Sequence, residues 1–351
     1  MPILAACAAA PSWQQLWHAL LAASLCGFGA LLASPRLQSL LVFMQWVNWP
    51  PFKIEEPGQP SPKWARRIGA LLGGGPTVGA FEGLPQALPF SCRGSQGLLR
   101  GWRVPRAAPG HRVVLYLHGN AGNVATKHRV DLYRLLTAPP LCCDVVTFDY
   151  ATLGASDGSW PDEASAVGDA LAALGSLPEA RSAVIVWGHS LGSGVAAGAL
   201  TALLPKQESL PRGLVLESAF LSIPDAAGAL LGGWWLPACL RLSPAFFRRG
   251  LAFLLSPFLW AHRMPTLERL PRIAEHLPIV MLHGAYDKVI PPEQGMQLAA
   301  VAGAPMHIFE RGHDDVVDDP SLLGILEEAF RAWDANAPGN GASQGEGWTI
   351  V

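Results

Sequence analysis

The sequence lacks a charge excess of either sign: 25 Lys and Arg stand against 27 Asp and Glu in 351 residues, for a net charge of -2. Such a chain projects no field that would gather a polyanion, which argues against nucleic-acid binding. Paired cysteine motifs are missing as well. The six cysteines (Cys7, Cys26, Cys92, Cys142, Cys143 and Cys239) form no C-x-x-C, and neighbours such as Cys142 and Cys143 rarely bridge each other, so they read as buried thiols and not as a disulfide framework. The ten histidines show neither H-E-x-x-H nor finger spacing. This predicts no metal, and no cofactor is expected. No N-x-[ST] acceptor is present.

Apolar surface is abundant. Half of the side chains are hydrophobic, 13 are Trp, and the mean hydropathy is positive. From Leu16 to Ala33 the chain reads LWHALLAASLCGFGALLA, with His18 the one residue able to carry charge. The run is about long enough to cross a bilayer as a helix. A signal peptide would carry a basic flank, yet no Lys or Arg precedes the run. A core-packing surface helix would show a polar stripe, and none is visible. Residues 1–49, which include a second apolar stretch, LQSLLVFMQWVNW, are therefore expected to attach the protein to a membrane. Residues 50–76 mix Pro, Gly and charge and are expected to act as a linker.

From residue 77 short β-branched runs alternate with longer helical stretches, the pattern of a parallel sheet covered on both faces. Strands are expected at 112–117, 144–149, 183–187, 213–217, 278–283 and 305–310. A leading hairpin, QALPFSC and GLLRGWRV around Arg93 to Gln96, brings the count to eight. About sixty residues separate the sixth strand from the seventh, far more than a crossover requires. This Leu-, Phe- and Trp-rich interval reads as a helical cap over about 222–270, suited to apolar ligands. The globular domain is expected to span 77–335, and the Gly-rich polar tail, 336–351, to be disordered.

The chemistry is written at strand ends. Gly188-His189-Ser190-Leu191-Gly192 matches G-x-S-x-G, which sets a nucleophile on a sharp strand-to-helix turn with small neighbours. His118-Gly119-Asn120 follows the third strand, so backbone N–H groups of Asn120 and Leu191 are the candidate oxyanion donors. Asp287, in Gly284-Ala285-Tyr286-Asp287 after the seventh strand, is the candidate acid. His313, in Arg311-Gly312-His313-Asp314-Asp315 after the eighth, is the candidate base. The order Ser, Asp, His is that of the α/β-hydrolase fold. His189 reads as a structural neighbour of the turn, and Glu217 as a minor alternative acid. The Asp314, Asp315, Asp318 and Asp319 cluster reads as a solvated helix start and not a calcium site.

With these residues in place, the chain resembles the α/β-hydrolase-domain family over about residues 41–335, and within it the branch of membrane-bound lysophosphatidylserine and monoacylglycerol lipases. The resemblance is carried by LYLHGNAGNVATKHRVDLYRLL, VVTFDYATLGASDGSWPDE, VIVWGHSLGSGVA and LVLESAFLSI. It implies an eight-stranded, mostly parallel sheet with a cap after the sixth strand, a Ser190, Asp287 and His313 triad, and lipid carboxylic esters as substrates. It further implies an endomembrane location, the endoplasmic reticulum foremost. That branch faces the lumen, whereas the basic residues after the apolar run count for a cytosolic domain. Where the family has Arg-Gly-x-Gly after the fourth strand, this chain has Ala151-Thr152-Leu153-Gly154 and loses a basic side chain. The same motifs fit depalmitoylating thioesterases, and a non-catalytic lipid- or partner-binding scaffold stands as the rival from another class.

Overall fold

A computed structural model of the chain describes residues 29, 34–44, 47–59, 62–64, 67–68, 83–206, 209–234, 250, 252–254, 256 and 259–336. Eight strands form one sheet: β1 (Leu88–Arg93), β2 (Leu98–Val104), β3 (Val113–Leu117), β4 (Asp144–Phe148), β5 (Val184–His189), β6 (Gly213–Glu217), β7 (Ile279–Gly284) and β8 (Met306–Phe309). Their order is β1-β2-β4-β3-β5-β6-β7-β8. The β1–β2 hairpin is antiparallel and β2 pairs antiparallel with β4, while β3 to β8 run parallel. This is the α/β-hydrolase fold expected from the sequence.

Strands β3 to β7 are buried along their whole length, because helices cover both faces. Alternate residues feed two cores. Val113, Leu115, Leu117, Val184 and Val186 point into one; Val114, Tyr116, Ile185 and Trp187 point into the other. The described helices are α1 (Pro35–Phe43), α2 (Lys127–Thr137), α3 (Glu163–Ser176), α4 (Leu191–Leu203), α5 (Ile223–Trp234), α6 (Thr266–Ala274), α7 (Pro292–Ala302) and α8 (Leu322–Ala335). Helices α5 and α6 lie in the long interval between β6 and β7.

Apart from Gly29, the apolar run of Leu16–Ala33 lies outside the described residues, as does the tail beyond 336. Among the described residues no helix is long and apolar enough to cross a membrane. Part of the second apolar stretch packs on the protein. In α1, Val42 and Phe43 are buried and Phe43 sits edge-on to His262 at 5.7 Å, while the ring of His262 donates from Nε2 to the Pro35 carbonyl at 3.2 Å. Residues 47–58, where the Pro- and Gly-rich composition suggests a free linker from residue 50, lie against the sheet instead. Ile54 is buried, its carbonyl accepts from Trp102 Nε1 at 3.0 Å, and Phe52 meets the Trp102 ring edge-on at 5.4 Å. Proline removes N–H donors and so prevents regular structure, but it does not prevent packing.

Candidate active site

Strand β5 stops at His189, and Ser190 turns the chain into α4 with φ 50° and ψ -117°, a conformation that side chains rarely adopt. Three hydrogen bonds hold that turn. Ser190 N–H donates to the Glu217 carbonyl at 2.9 Å, and both the N–H and the hydroxyl of Ser193 donate to the Ser190 carbonyl, at 2.9 and 2.6 Å. The flanking glycines are required by space. A Cβ on Gly192 would lie 1.9 Å from the Leu117 carbonyl oxygen, and one on Gly188 would lie 2.5 Å from the Gly192 oxygen. This is why the motif spaces two small residues around the serine.

The loops after β7 and β8 bring two further side chains to this turn. The His313 ring places Nδ1 2.7 Å from Asp287 Oδ2 and Nε2 2.9 Å from Ser190 Oγ. A carboxylate only accepts, so Nδ1 carries the proton and Nε2 is left to accept from the serine hydroxyl. Asp287 is fixed in turn: its Oδ1 accepts from the N–H groups of Val289 and Ile290, both at 2.8 Å. His283, whose Nε2 donates to the Ile290 carbonyl at 3.0 Å, lies 3.3 Å from Oδ2.

These partners set the charge states. Burial works against the Asp287 carboxylate, but the bonds from His283 and His313, with the nearby His313 charge, outweigh it and hold the group below the usual carboxylate range. Burial likewise opposes a charged His313, and the bond to Asp287 with the charges of Asp287, Asp314 and Glu217 raises its pKa above the ordinary value of 6.5. His189, behind the serine, is the reverse case. Burial first, then the His313 charge, push it well below 6.5, so it stays neutral and donates from Nε2 to the His313 carbonyl at 3.1 Å.

The His118-Gly119-Asn120 turn lies against the serine: a Cβ on Gly119 would come within 3.1 Å of Ser190 Cβ. Among the described residues neither the Asn120 N–H nor the Leu191 N–H meets an acceptor. The turn is held from behind by Arg129 of α2, 2% exposed, whose guanidinium donates to the carbonyls of Gly119, Ala121 and Asn123 at 3.1, 2.9 and 2.8 Å. Asp149, also buried, accepts from the Val124 N–H at 2.9 Å, and His118 Nδ1 donates to the Gly119 carbonyl at 2.8 Å. The segment before the sheet completes the support. Asn123 Nδ2 donates to Asn48 Oδ1 and to the Pro50 carbonyl at 2.7 and 2.8 Å, and Gly122 N–H donates to the Val47 carbonyl at 2.9 Å.

Arg129 and the 47–50 strap carry no sequence signal of this duty, since a lone Arg on a helix ordinarily reads as solvent-facing. The structure thus brings Ser190, Asp287 and His313 together and sets Gly119 and Asn120 beside them, while Glu217 points elsewhere, accepting from Trp187 Nε1 at 2.9 Å.

The sequence model of the alpha/beta hydrolase family matches residues 114–323, and the chain belongs to that family. Among curated proteins it is similar to lysophosphatidylserine lipase ABHD12 of Mus musculus, 32% identical over 308 residues that cover 84% of this chain and 73% of that protein. It is also similar to Protein ABHD12B of Homo sapiens, 30% identical over 261 residues, covering 70% and 68%. Among solved structures, an alpha-beta hydrolase from Vibrio vulnificus superposes with a TM-score of 0.59 at 16% identity, covering 85% of this chain and 92% of its own. The Pyrococcus furiosus esterase Pf2001 gives 0.51 at 16% identity, covering 70% and 92%. At that identity both speak to the fold.

Proposed function

We propose that this chain is a serine hydrolase that cleaves the carboxylic ester of single-chain lipids, lysophospholipids or monoacylglycerols, through an acyl-enzyme. The observation that carries the reading is the hydrogen-bonded series from Ser190 Oγ through His313 to Asp287, at 2.9 and 2.7 Å. His313 Nε2 takes the serine proton as Oγ bonds to the ester carbonyl carbon, and Asp287 stabilises the imidazolium. Negative charge that moves to the carbonyl oxygen is met by the N–H groups of Asn120 and Leu191, each such donor contributing roughly 3 kcal/mol in related chemistry. The C–O bond to the alcohol then breaks, and His313 returns the proton to the leaving oxygen. Water, deprotonated by the same ring, attacks the acyl carbon, releases the fatty acid and restores Ser190.

The lipid class is supported by the relatives named lysophosphatidylserine lipase and by the apolar residues of the cap interval, where Phe253 and Leu254 are exposed. The Leu16–Ala33 run would hold the enzyme at the membrane into which such substrates partition. A panel of lysophosphatidylserine, other lysophospholipids and monoacylglycerols, assayed with wild type and Ser190→Ala, tests the reading. Turnover of the preferred lipid should fall at least about a thousandfold in the variant. Hydrolysis that persists would assign the chemistry to other residues.

A further inference from the structure

Three metal-ligating side chains that the hydrolytic scheme leaves unused meet beside the backbone of His313. His128 comes from the first turn of α2, His189 from the end of β5, and Asp314 from the residue after the base. One ligand atom from each lies within 4.8 Å of the others. Asp314 Oδ1 is 3.6 Å from His128 Nε2 and 3.8 Å from His189 Nε2, too far for hydrogen bonds. Four-coordinate zinc with bonds near 2.1 Å sets its ligand atoms about 3.4 Å apart, so the two separations from Asp314 need to close by only a few tenths of an ångström, and the two imidazole nitrogens lie within 4.8 Å of each other.

The chemistry of the three groups matches that spacing. Asp314 does not belong to a solvated helix start: its side chain is 20% exposed and accepts no hydrogen bond among the described residues. Both imidazoles ligate metal through a neutral ring nitrogen, and Nε2 of each is the atom nearest Asp314. Two imidazoles with one carboxylate form a donor set for zinc-class divalent ions, with the fourth position left to water. Local residue spacing carries no hint of the set, because the three side chains lie far apart in the chain and are gathered by the fold.

Occupation would reach the base directly. In its present tautomer His189 donates from Nε2 to the His313 carbonyl at 3.1 Å. The same nitrogen cannot hold that proton and a metal together, so coordination moves the proton to Nδ1 and leaves the His313 carbonyl with the Ser218 hydroxyl, at 3.3 Å, as its remaining side-chain donor. We propose that His128, His189 and Asp314 form an inhibitory site for a zinc-class divalent ion, whose binding pulls His189 off the His313 backbone and stops hydrolysis. The inhibition rests on the serine-hydrolase reading, whereas the binding does not.

The test uses the full chain, stripped with a chelator and titrated separately with ZnCl2 and CoCl2. One zinc per chain should bind, and cobalt should give the visible absorption bands of a low-coordinate nitrogen–oxygen site. Ester turnover should fall in step with zinc occupancy and return with chelator. His128→Gln should keep the metal-free turnover while its zinc affinity drops about tenfold or more, and Asp314→Asn should lose the cobalt bands with its thermal unfolding still cooperative. Failure of the wild type to bind one ion, or binding by His128→Gln as tight as wild type, overturns the site. Stoichiometric binding without loss of turnover overturns the inhibition. A chain with no ester turnover that still shows the cobalt bands would retain the site and count against the hydrolase reading alone.

Discussion

Among single residues, two groups near Ser190 have pKa values raised by different causes, His313 by its carboxylate partner and Glu217 by burial, and they give separable predictions. In the proposed mechanism His313 takes up a proton and must start as a neutral imidazole, and its pKa is held above 6.5. Turnover per free enzyme, kcat/KM, should therefore fall as pH drops, with the midpoint of the acid limb above 6.5. Asp287→Asn removes the partner that raises it, so a pH–rate profile of that variant should show the limb moved to lower pH and the rate down about ten-thousandfold. Glu217 differs, because burial alone is the largest influence on it and pushes its carboxyl up from 4.5 to about 7. Folded chain binds this proton more tightly than unfolded chain, so the group contributes most stability below 4.5 and loses it as pH rises through about 7. Glu217→Gln keeps an acceptor for Trp187 Nε1 and removes the charge. Thermal melts should find it more stable than wild type at pH 8, by on the order of 3 kcal/mol, with the gap closing near pH 4.5.

Among elements, the loop after β3 is held by Arg129 of helix α2 and by the 47–50 strap. Asn123 is the shared fastening: its side chain donates twice to the strap and accepts from the Ala125 N–H at 3.0 Å. Asn123→Ala should cost about 1 to 3 kcal/mol in denaturant unfolding, and kcat should fall more than KM rises, because in the proposed mechanism the Asn120 N–H bears on the transition state. An unchanged kcat would separate the strap from catalysis. The strands were legible in the sequence because burial on both faces leaves continuous apolar runs, Val113–Leu117 and Gly213–Glu217 among them. The G-x-S-x-G turn was legible because its glycines answer to atomic contacts. The strap was not, since composition reports irregular backbone and says nothing of what that backbone packs against. Arg129 and Asp314 stayed hidden for a related reason: their burial comes from elements distant in sequence.

At the scale of the whole molecule, the sheet acts as a gathering device. Loops after β3, β5, β7 and β8 leave one edge of adjacent parallel strands, which brings residues 119, 190, 287 and 313 together from across the chain. The family assignment agrees with this architecture, and the sequence match to the lipase of Mus musculus extends over 84% of the chain. A scaffold that had kept the fold and lost its chemistry would hold the same shape with an inert serine. Covalent labelling by a fluorophosphonate, read by mass spectrometry of the peptide that carries Ser190, separates the two most directly. One phosphonyl group per chain is expected, on Ser190, with labelling slowed at least about a hundredfold in His313→Ala. A folded wild-type protein that takes up no label, or labels as fast without His313, would contradict the serine-hydrolase reading.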